Sequence, residues 1–74
     1  MKLKENTIIK LDNGDIIGVL SCRADTNTTS IITEAGWAGS IDTNAITNRK
    51  WKVLSEYASP SETLMGMVKY ANND

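Results

Sequence analysis

Short runs of β-branched and apolar residues alternate with polar stretches that carry glycine or asparagine, and only the C-terminal part of the chain changes period. Thr7-Ile8-Ile9-Lys10-Leu11 and Ile16-Ile17-Gly18-Val19-Leu20-Ser21-Cys22 flank Asp12-Asn13-Gly14-Asp15. Asn-Gly signals a tight hairpin, because both residues tolerate the positive φ of a type I′ turn. A two-residue turn there pairs Leu11 with Ile16 and Ile9 with Gly18 on one face, leaving Ile8, Lys10, Ile17 and Val19 on the other.

A second pair is expected over 28–33 and 37–42, around Glu34-Ala35-Gly36. Ala35 resists a type I′ turn, so a type I turn closed by Gly36 in the left-handed region is the better fit. This register puts Ile31, Trp37 and Ile41 on one buried face and Gly39 across from Ile31. Thr43 to Asn48 reads as a polar turn, and 49–54 as a fifth strand with Trp51 and Val53 facing inward and Lys50 and Lys52 outward.

Ser59-Pro60-Ser61-Glu62 combines an N-cap serine, proline at the first helical position and glutamate three residues after the cap. A helix over 60–71 follows. Leu64, Met67, Val68 and Ala71 form its expected inner face, and Gly66 costs it about 1 kcal/mol relative to alanine.

The fold class is therefore mainly β: a five-stranded antiparallel barrel or strongly bent sheet with one C-terminal helix, a single domain over 1–74. Over residues 7–54 the element order and turn chemistry resemble the SH3-like or Sm-like small-barrel superfold. The resemblance implies peptide binding, RNA binding, chromatin reading or plain assembly, and does not choose among them.

Composition narrows the chemistry. Eight Lys and Arg against nine Asp and Glu leave a formal charge of −1, too close to neutral to draw a polyanion over long range. The chain contains no histidine, which removes the commonest general base, the usual triads and most zinc sites. Cys22 is the only cysteine, so it has no disulfide partner in the chain, and without a histidine to activate it a small buried hydrophobe is the expectation. No signal-like or membrane-spanning run is evident, and a cytoplasmic protein is expected. Asp12 and Asp15 face one another in the two-residue register, as solvated turn carboxylates and not as a metal or acid–base pair. No glycine-rich phosphate loop occurs.

These exclusions point to a non-enzymatic protein that uses no cofactor or metal. The leading expectation is a protein-binding module: a small inhibitor or adaptor, or a self-associating barrel, with a phage or mobile-element regulator as one setting. Met65, Tyr70 and Tyr57 are the candidate partner-binding residues, because adaptable Met and amphipathic Tyr suit interfaces. The alternative is binding of a nucleic acid or small nucleotide through Arg23, Arg49, Lys50 and Lys52.

Overall fold

The computed structural model describes residues 2–72. Its elements are β1 (Thr7–Leu11), β2 (Ile16–Arg23), β3 (Thr28–Thr33), β4 (Ala38–Asp42), α1 (Asn44–Thr47), β5 (Trp51–Glu56) and α2 (Pro60–Ala71). The five strands form one antiparallel sheet in the order β4-β3-β2-β1-β5, with β4 and β5 as its open edges. Among the described residues no helix is long and apolar enough to cross a membrane.

Both hairpins turn in the same way. Gly14 and Gly36 hold φ of 95° and 89°, and each closes a three-residue loop: Leu11 N–H donates to Asp15 O at 2.8 Å, and Thr33 N–H to Trp37 O at 2.9 Å. The second loop and the Ile31–Gly39 pairing match expectation. The first loop is one residue longer than expected, so Ile9 faces Ile17 and Ile8 faces Gly18. A one-residue slip moves every side chain of a strand to the other face. Ile17 and Val19 consequently join Ile9 in the core, and Asp12 and Asp15 no longer oppose one another.

The main core consists of Leu3, Ile9, Ile17, Val19, Ile31 and Ile46, with Leu11, Cys22, Ile41 and Trp51 packed around it. The 43–48 segment is not a simple turn. It winds into α1, whose Ile46 enters the core at 1% exposure while the polar residues around it remain wet. Register shifts between Ile8 and Ile9 and between Val19 and Ser21 bend the sheet around these side chains.

Trp37 does not join that core. It precedes β4, and its indole lies over Gly39, where an added β-carbon would meet the ring at 2.8 Å. With no strand beyond β4 to cover it, Trp37 stays 52% exposed. Trp51 is half-buried against the core as its parity implies, whereas Val53 of the opposite edge strand is 41% exposed. Trp37, Thr33, Ile17, Ile9 and Val53 thus make one cross-strand row, buried in the middle and open at both ends.

The second face of the sheet carries α2. Ser59 caps the helix in extended geometry and accepts from Glu62 N–H at 3.3 Å, with Pro60 next, as the motif implies. The inner face differs from expectation: Thr63, Gly66 and Met67 are buried, while Leu64 and Val68 are exposed. Close approach explains the rotation. Gly18 of β2 offers no side chain, Met67 fills that space, and Gly66 rests against the Tyr57 phenol and Ile8. Thr63 can be buried because its hydroxyl donates to Ser59 O at 3.0 Å.

Candidate functional site

Rotation of α2 onto its small residues leaves large ones outside. Leu64 is 37% exposed, Met65 65% and Val68 53%, so three of the five large exposed apolar residues among the described ones lie within five positions of one helix. A helix that packed for burial alone would bring Leu64 and Val68 inward. Met65 therefore sits beside Leu64 and Val68 on an exposed apolar stretch of α2.

Tyr57 and Tyr70 have a different place. Both are half-buried and line a recess of about 640 Å³ between the end of β5 and α2, together with Ser55 and Val68. The Tyr70 hydroxyl lies 3.4 Å from Ser55 Oγ, which ties the helix to the sheet. Tyr70 is thus on the inner side of α2, apart from Met65, and Val68 connects the recess to the outer surface.

The four cations of the nucleotide alternative do not gather. Arg49 donates through Nε and Nη2 to Asp12 Oδ1, at 3.0 and 2.6 Å, and this hydrogen-bonded guanidinium holds the Asp12 carboxyl below its usual value. Arg23 pairs with Asp25 at 3.2 Å in the next loop. Lys52 of β5 and Lys50, which precedes the strand, are both exposed, and Lys10 of β1 lies directly opposite Lys52. Asp15 turns instead to Asn13, whose Nδ2 donates to it at 2.9 Å. Among the described residues no cluster of His, Cys, Asp or Glu suits a metal ion.

A wider groove of about 980 Å³ runs beside residues 2–6, against the β2–β3 loop and α1. Asn6 and Asn27, the two non-glycine residues with positive φ among the described residues, both line it, at 61° and 52°. Asn6 is clamped by its backbone: its N–H donates to Val19 O and its C=O accepts from Tyr57 N–H, both at 2.8 Å. Its side-chain Oδ1 is buried without a partner, the one such atom among the described residues. Cys22 also borders the groove, its thiol packed against the core and its N–H donating to Glu5 Oε2 at 2.7 Å. Lys2, Lys4 and Arg23 line it with Glu5, but Lys4 is paired with Glu56 and Arg23 with Asp25.

No family model, curated protein or solved structure matches this chain. Function therefore has to be read from its own surfaces. The amphipathic pattern of Leu64, Met67, Val68 and Ala71 hides the outward apolar strip in the sequence: only Met67 of the four is buried. Thr63 and Gly66, small residues one helical turn apart followed by Tyr70, were the signal of a close-packed inner face.

Proposed function

We propose that this chain is a non-catalytic protein-binding module, a small adaptor, inhibitor or self-associating unit, that works by laying the outer face of α2 against a partner. The observation that carries the reading is the rotation of α2, which sets Thr63 and Gly66 on the sheet and turns Leu64, Met65 and Val68 to solvent. Clustered apolar side chains on a helix are a common docking device, and methionine adapts to a partner's contours. The absence of histidine and the divergence of Asp12 and Asp15 leave no acid–base pair to argue for turnover.

We read the scaffold as a small SH3-like barrel left open between β4 and β5. Its support is the strand order, the two register shifts and the short helix that precedes the last strand.

The test is paired affinity capture from the native host, using the wild type and a Met65→Lys/Val68→Lys variant whose circular dichroism melt is unchanged. Proteins held by the wild type and lost by the variant support the reading. Identical captures by both baits would sink it.

One observation favours polyanion binding as a second reading. Lys10 and Lys52 stand opposite one another with Lys50 nearby in sequence and no acidic partner among the described ion pairs. A basic patch of this kind binds phosphates with a steep salt dependence. Titration with a labelled oligonucleotide at low salt decides it: no shift removes the reading, and a shift flattened by Lys50→Ala/Lys52→Ala supports it.

A further inference from the structure

We infer that the partner of the α2 outer face is a second copy of this chain, the two helices packing antiparallel about a two-fold axis; this rests on the protein-binding reading above. With an advance of about 100° per residue, Ser61, Met65, Val68 and Asn72 fall in line on the side of α2 away from Thr63, Gly66, Met67 and Tyr70. All four are exposed. Their spacing of four, three and four is the seam spacing of paired helices. Leu64 and Ala71 border the seam on one side, and Glu62 and Lys69 on the other.

An isologous antiparallel pair brings together residues equidistant from its centre, here between Gly66 and Met67. Met65 then meets Val68 of the second copy, twice by symmetry, and Ser61 meets Asn72, so apolar layers lie inside and hydrogen-bonding side chains at both ends. In this arrangement like flanks adjoin: Leu64 lies beside Ala71, and Glu62 beside Lys69. A parallel pair would instead set the Glu62–Lys69 flank against the Leu64–Ala71 flank and leave both charges without a partner. The placement of both charges on one flank therefore favours the antiparallel form, in which opposed helix dipoles also attract.

Both charges are available. Lys69 enters no ion pair among the described residues, and the Glu62 carboxylate has only Ser59 Oγ, at 3.4 Å, as a partner. A seam of three turns is small beside the roughly 1,200–2,000 Å² of stable interfaces, so a dissociation constant on the order of 100 µM is expected.

Sedimentation velocity from about 10 µM to about 2 mM reads this directly. The wild type should pass from monomer to dimer, Lys69→Glu should weaken the dimer about tenfold, and Glu62→Lys/Lys69→Glu should restore it. Met65→Lys, which leaves the N-cap and both charges in place, should remain monomeric, and this keeps the test decisive even if the double variant loses its fold. A dimer indifferent to Lys69→Glu, or one that survives Met65→Lys, overturns the inference. A wild type that stays monomeric throughout, while still capturing a protein that Met65→Lys/Val68→Lys loses, overturns the second-copy assignment alone.

Discussion

Gly66 rests directly on the phenol of Tyr57: a β-carbon at this position would overlap the hydroxyl, approach Cζ to 2.7 Å and meet Ile8 Cδ1 at 2.9 Å. The close approach of α2 to the sheet depends on this missing side chain.

Gly66→Ala should therefore destabilise the protein even though alanine is the better helix former. Helix propensity would contribute roughly 1 kcal/mol in favour, but overpacking against the fully buried Ile8 and the Tyr57 ring costs about 1–3 kcal/mol. Urea unfolding should show a net loss of about 1 kcal/mol. A gain in stability would mean that the helix sits more loosely on the sheet than described.

Lys52→Glu should stabilise. Like charges directly opposite on neighbouring strands repel, and replacing the repulsion from Lys10 with attraction is worth roughly 0.2–1 kcal/mol. Because the pair is exposed, the gain should shrink when unfolding is repeated in high salt. A gain that persists in high salt would point to another cause.

The Asp12 carboxyl is held below its usual value of 3.8, first by the hydrogen bond from Arg49. Since the folded value is the lower one, the contact contributes fully above pH 3.8 and its contribution drains away as pH falls through the folded value. Asp12→Asn should lower stability at neutral pH, and the difference from wild type should close below pH 3.8. Unfolding curves from neutral to strongly acid pH check this; a difference constant across the range would exclude the ionic contact as its origin.

Asn6→Gly should raise stability by about 1 kcal/mol. It removes a buried carbonyl oxygen without a partner, worth about 1–3 kcal/mol, and relieves left-handed backbone at a non-glycine residue, against the greater entropy of glycine in the unfolded chain. Thermal unfolding measures it, and a clear loss would show that a water or other donor satisfies Oδ1.

Strand positions, the second turn and the capped helix were legible because local chemistry dictates them: Gly36 must close its loop, and Ser59-Pro60 must start a helix. The first register was not. Asn13-Gly14 serves a two-residue turn or the end of a three-residue one equally well, and the choice moved Ile17 and Val19 between faces. The burial of Ile46 is not legible either, because the four residues of α1 are too few to show a helical period. The outward strip of α2 and the exposure of Trp37 depend on tertiary approach at Gly66 and Gly39, which propensity does not report. Of the candidate residues, Met65 came out on an open surface, while Arg23 and Arg49 were already engaged by carboxylates.

The placement of β5 beside β1 also governs the order of assembly. β1, β2 and β3 are joined by short loops and can zip as soon as they are made, but Thr7 finds its second neighbour only when Glu56 has been synthesised. Until then one side of the first strand presents bare amides and carbonyls to the cell. Interrupted translation, or a truncation before residue 51, should yield a chain that sticks to itself through that border.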